Sequence, residues 1–230
     1  MDPRVESIII KLAGQVGSAR RPRPTAACVP SGVPELDTRL LPGGWPRGVC
    51  TLLTGASPAL GVLPSILTAA HCSRSAPVAW VLPAGYHLNG WLLSLLGADL
   101  SRICVFTPAD GLLSWTLPQV LTCSHFRLVV VQADDPLTGR CLLRRSDAAR
   151  LREAMQNCRA AVLLLRGPGL PTVAQGLPVG LGIQVSPGPQ DSLRLCVLKA
   201  SGRAPGTCVS FSPGPYLQGP WSGGALGVAS

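Results

Sequence analysis

The chain has few aromatic and few charged residues. Phe, Trp and Tyr make up 4% of its 230 residues, and Asp, Glu, Lys and Arg 13%. A charged, unfolded chain is therefore excluded, and the 47% of hydrophobic residues must mostly be buried. The length allows one substantial core and not two comfortable ones. Long clean apolar runs are missing too. The most apolar stretch, APVAWVLPAGYHLNGWLLSLLGADL, is interrupted by Pro83, Gly85, His87, Asn89 and Gly90, well short of the ~20 residues a membrane span needs. MDPRVESIII carries charge on both sides of a very short apolar run, unlike a signal peptide. A soluble cytoplasmic protein is expected.

Ligand spacing is also lacking. Nine cysteines stand at 28, 50, 72, 104, 123, 141, 158, 196 and 208, with no CxxC among them. Neither a zinc site nor a disulfide framework is indicated, so buried reduced thiols acting as small hydrophobes are expected. His71, His87 and His125 share no spacing that suggests a metal site or a triad, and Ser57 and Ser65 lack a nearby base. Lysine is scarce, so the net charge of +9 rests almost entirely on arginine. That balance admits acidic partners, nucleic acid or protein, and a GC-rich genome explains it equally well.

What is present has a clear order. The 26 glycines and 23 prolines cluster at 14–34, 167–190 and 200–230, marking loops and ends. Residues 3–16 place Val5, Ile8, Ile9, Leu12 and Val16 at helical spacing behind Asp2 and Pro3. Such a helix either folds back on the core or is donated to a neighbouring protein. It defines an N-terminal unit, 1–18, with a linker at 19–30, a core at 31–211 and a tail at 212–230 expected to be disordered. Within the core, apolar strand-like runs at 49–55, 76–84, 103–108, 126–133 and 160–166 alternate with helical segments at 59–73, 88–97, 111–124 and 139–158. This pattern predicts an α/β fold with a mainly parallel sheet covered on both faces. Three further strands, about 180–186, 192–199 and 206–211, come without helices and suggest a short antiparallel C-terminal extension.

The stretch TLLTGASPALGVLPS (51–65) runs from a strand through Gly55 and a small-residue loop to Gly61 and an apolar helix. Phosphates bind at such a turn in α/β proteins, where helix amides and dipole meet the anion. A working phosphate loop, GxxxxGK[ST], needs a lysine for the outer phosphates and a hydroxyl for magnesium. Here the glycine spacing is one residue too long, and Val62 and Leu63 follow. A tight strand-to-helix turn explains the stretch as well.

The flanks carry more information. SGVPELDTRLLPGGWPRGVCTLLTG (31–55) resembles the segment leading into the RecA recombinase core. LLGADLSRICVFTP (95–108) resembles the approach to that core's third strand. FRLVVVQADDPLTGR (126–140) resembles the strand ending in its magnesium-site aspartate. Order and spacing agree over about 31–200. The "LD…PGGWPRG" form with a degenerate loop is most similar to the ImuA family, RecA/SulA-like accessory proteins of bacterial damage-inducible mutagenesis.

The resemblance implies a RecA-like core whose ATPase residues are all replaced. The loop lysine falls on Val62 (or Leu60), the hydroxyl on Leu63, the catalytic glutamate on Gly85 and the magnesium aspartate on Gln132. It thus implies no catalysis and no cofactor, with a role in SOS-induced translesion synthesis. The implied partners are an ImuB-type Y-family polymerase relative and RecA, with self-association through residues 3–16 also open. A SulA-type division inhibitor and a recombinase-like ATPase with an unconventional loop are the alternatives.

Other residues remain as candidates. Asp134 and Asp135, just past the fourth strand, are either a displaced metal pair or turn chemistry before Pro136. Helical periodicity over 139–158 places Arg140 with Arg144, and Arg145 with Arg152, on shared stripes. These stripes form a solvated face or a contact for DNA or an acidic partner. Tyr216 and Trp221, among glycines and prolines, either anchor a linear motif or pack against the core.

Overall fold

The structure is a computed structural model that describes residues 28–55, 58–135, 141–167, 178–200 and 206–217. The expected N-terminal helix therefore lies outside the described residues. Eight strands form one sheet: β3 (Cys50–Gly55), β4 (Val78–Val81), β5 (Ile103–Phe106), β6 (Leu128–Gln132), β7 (Ala161–Arg166), β8 (Val179–Pro187), β9 (Leu193–Ala200) and β10 (Cys208–Phe211). Their order is β10-β9-β8-β3-β7-β6-β4-β5. A short ribbon, β1 (Cys28–Val29) against β2 (Trp45–Pro46), precedes it. Helices α1 (Pro58–Ser73), α2 (Gly90–Leu95), α3 (Leu113–Thr122) and α4 (Ala148–Asn157) join the parallel strands, and a single turn, α5 (Gly214–Leu217), follows β10.

Strands β4, β6 and β7 are buried at every position, which is why they read as unbroken apolar runs. The period of two divides them between two cores. Trp80, Leu128, Val130 and Leu163 face a cluster with α1 and α2. Ala79, Val129, Val131 and Leu164 face another with α3 and α4. The described residues contain no helix long and apolar enough to cross a membrane.

The segment 31–48 lies over the first core, held by buried Leu36, Leu40, Leu41 and Trp45. Gly44 has φ +104°, and a Cβ there would collide with the Val29 carbonyl, so the second glycine of PGGWPRG is required. The indole N–H of Trp45 donates to Thr68 Oγ1 at 2.8 Å, and that hydroxyl donates to the Pro64 carbonyl at 2.8 Å. A polar chain thus crosses the apolar interface with its donors satisfied.

Three expectations are corrected. Of the three late strands, β8 pairs in parallel with β3, and only β9 and β10 are antiparallel. Its apolar residues fill the next parallel position beside β3 and need no helix of their own. The long helix over 139–158 is cut to Ala148–Asn157, preceded by a 3-10 turn at Arg145–Asp147. Residues 141–143 instead return beside β6, with Leu142 N–H donating to the Ala133 carbonyl at 2.8 Å.

The third correction concerns the thiols, because Cys196 and Cys208 form a disulfide. They face each other across β9 and β10 with Cα atoms 4.1 Å apart. The adjacent Val197 N–H bonds to the Thr207 carbonyl. The cysteines therefore occupy a pair without ladder bonds of its own, where side chains come closest. The other seven are free. Burial raises Cys50 to about 12 and Cys72 to about 11, so both behave as inert small hydrophobes. Alkylation in denaturant should label seven cysteines without reductant and nine after reduction, read by intact mass. Nine labels before reduction would contradict the bridge.

Candidate functional site

The carboxyl ends of β3, β4, β6 and β7 form one edge of the sheet, where an α/β protein of this kind binds ligands. β3 ends at Gly55 and α1 begins at Pro58. In the parallel register Thr54 lies beside Arg166 on one side and Gln184 on the other. The end of β3 thus stands next to the end of β7.

Among the described residues, several groups of the chain itself meet at this edge. Val62 and Leu63, where the resemblance places lysine and hydroxyl, sit on α1 packed against the first core. Gly61 is also within α1. Gly85 lies in the turn after β4 with φ +80° and open space where a Cβ would be. Gln132 closes β6, is buried, and donates through Nε2 to the Asp134 carbonyl at 3.3 Å. None of these five positions carries a charged side chain.

Asp134 is the centre of the edge. It is buried, as is Arg166. Arg166 Nε donates to Asp134 Oδ1 at 2.8 Å, and Gly167 N–H donates to Oδ2 at 3.0 Å. Both carboxylate oxygens are therefore engaged by donors, and the pair neutralises itself. Asp135 Oδ1 accepts from the Tyr86 hydroxyl at 2.7 Å, tying the loop after β4 to the loop after β6. Cys141 pairs with Asp134 in an isolated antiparallel bridge. Burial pushes the Cys141 thiol up, so it stays protonated beside the carboxylate. No group of three His, Cys, Asp or Glu side chains among the described residues could hold a metal ion. Among the described residues, the positive and negative charges at this edge are satisfied by each other. A polar cavity of about 210 Å³ lies elsewhere, between Gly32, His71, Arg74 and Leu96.

The sequence matches no protein-family model and no curated protein. The fold matches the crystal structure of the RadB recombinase, with a TM-score of 0.63, 18% identity, 80% of this chain and 95% of that chain covered. The fold is RecA-like.

The remaining expectations can now be placed. Asp134 is bonded to Arg166 and Asp135 to Tyr86, and the turn expected to follow them at 136–140 lies outside the described residues. The arginine stripes do not exist as drawn, because 141–144 is not helical and Arg145 starts a 3-10 turn. Arg144 is exposed, with its backbone N–H bonded to Asp147, and Arg152 is exposed on α4. Tyr216 falls within the turn α5. Val5, Ile8, Ile9, Leu12, Val16, Arg140 and Trp221 lie outside the described residues. Sequence reading missed Arg166 and Tyr86. A charged residue closing the apolar run AVLLLR was the available signal, since a buried guanidinium demands a partner.

Removing one partner of a buried ion pair costs about 3–5 kcal/mol, because the other charge is left uncompensated. Asp134→Ala should lower the urea unfolding free energy by about that amount, and adding Arg166→Met should restore at least half. A loss under about 1 kcal/mol in the single variant would show the pair to be unimportant.

Proposed function

We propose that this protein is a non-catalytic RecA-like scaffold in damage-induced translesion DNA synthesis. It joins an ImuB-type Y-family polymerase relative to RecA and carries no nucleotide. The observation behind the non-catalytic part is the filled carboxyl edge. Phosphoryl-transfer enzymes act almost wholly by positioning phosphates and metal with fixed charges. Here Val62 and Leu63 pack into the core and the charges at the edge, Asp134 and Arg166, are spent on each other.

The partner assignment rests on the similarity of 31–55 to the ImuA pattern, and the fold shared with a recombinase supports a place in DNA transactions. A RecA-type core stripped of its ATPase residues retains what a scaffold needs: a rigid sheet and surfaces able to dock other chains. The sequence of residues 3–16 spaces its apolar side chains as an amphipathic helix would, a pattern suited to a neighbouring protein.

Purified full-length protein should pull down the ImuB-type polymerase relative of the same genome, and RecA, with saturable binding. Removing residues 1–18 should abolish one of these associations and leave the other. Absence of binding to both partners would overturn the reading.

A further inference from the structure

The amino-terminal edge of the sheet, opposite the filled site, carries a row of arginines. Each of five adjacent parallel strands has one within four residues of its start. These are Arg47 before β3, Arg159 before β7, Arg127 before β6, Arg74 before β4 and Arg102 before β5. Because the strands are neighbours in that order, the arginines are neighbours too. Backbone bonds join the segments across the edge: Gly48 N–H to Ala160, Ala161 N–H to Arg127, and Arg127 N–H to Pro77. Arg102 Nη1 donates to the Arg74 carbonyl at 3.3 Å. Neighbouring strands lie about 4.8 Å apart, so the row spans roughly 20 Å.

The row is accessible and hardly neutralised. Arg74, Arg102, Arg127 and Arg159 are exposed, and Arg47 is half-buried. Asp99 is the one acidic partner of the row among the described residues, 3.2 Å from Arg102. Arg74 is held by the Leu96 and Gly97 carbonyls, and Arg47 by the Arg159 carbonyl. These contacts fix the guanidinium positions and leave their charge uncompensated.

We propose that this row binds the phosphate backbone of duplex nucleic acid without reading its sequence. A duplex presents one negative charge per about 1.7 Å of axis, and guanidinium is the side chain best matched to phosphate. Single strands are disfavoured, because their binding relies on exposed aromatic stacking. The exposed tryptophans, Trp91 and Trp115, sit in the first turns of α2 and α3, at the opposite end of the sheet. The inference stands apart from the partner assignment above, and either can fail alone.

The test is fluorescence anisotropy of the full-length protein with a labelled duplex of about 20 base pairs and arbitrary sequence. Four net contacts predict a log–log salt slope of about −3.6, or roughly 150-fold weaker binding between 50 and 200 mM salt. Arg127→Ala with Arg159→Ala removes two exposed side chains outside the ion pairs of the described residues, and the slope should fall to about −1.8. Arg127→Lys with Arg159→Lys should keep most of the affinity, and Arg150→Ala with Arg152→Ala, on the outer face of α4, should leave the slope unchanged. Unfolding midpoints are compared to confirm that the variants fold. The proposal is overturned if no binding occurs at 50 mM salt or if the Arg127/Arg159 variant binds like the parent. It is equally overturned if polyglutamate displaces the duplex more effectively than unlabelled duplex does.

Discussion

Strands β3, β4, β6 and β7 need cover on both faces. Each fully buried Val or Leu contributes about 1.5–3 kcal/mol, and these strands bury Leu53, Val78, Val81, Leu128, Val129, Val130, Val131, Leu163 and Leu164, among others. Helices α1 and α2 must therefore occupy one face and α3 and α4 the other. With both faces taken, polar chemistry around the parallel strands is confined to the sheet's two ends. The carboxyl end holds Asp134, Asp135, Tyr86 and Arg166; the amino end holds the arginine row.

The two ends differ in how their charges are used. At the carboxyl end Arg166 and Asp134 are both buried and bonded to each other, an arrangement that roughly breaks even against an apolar replacement. The aliphatic strands, not this pair, carry the stability. What the pair does is join the ends of β6 and β7 at the carboxyl edge with both charges satisfied. At the amino end the charges are exposed and mostly without counter-ions, so they remain available to a partner. The sheet thus carries a self-satisfied ion pair at one end and exposed positive charge at the other.

Much of the fold was legible because continuous apolar runs bounded by Gly and Pro report doubly buried strands directly. The five parallel strands expected and three of the four helices appear close to their expected places. The failures have physical causes. Strand β8 looks like an antiparallel strand because it lacks a following helix, yet its partner is decided by the gap beside β3, which no local pattern reveals. The helix over 139–158 was overextended because Arg, Leu and Cys at 140–145 suit a helix, whereas Asp134 recruits Cys141 into a bridge. The disulfide was hidden because Cys196 and Cys208 become opposite only once β9 and β10 are in register. Within the candidate site, the uncharged character of Val62, Leu63, Gly85 and Gln132 is plain in the sequence, but the Asp134–Arg166 pair depends on β6 and β7 being neighbours. The arginine row was present in the sequence as one Arg ahead of each strand, and it became a surface only when the strand order placed those segments side by side.

The central claim is that the carboxyl edge no longer takes nucleotide. Isothermal titration of the full-length protein with ATP and magnesium, together with a phosphate-release assay with and without DNA, addresses it most directly. The account predicts no saturable heat and no release above the protein-free background. Micromolar binding or DNA-stimulated release would contradict it, and would mean that the Asp134–Arg166 pair opens to admit the phosphates.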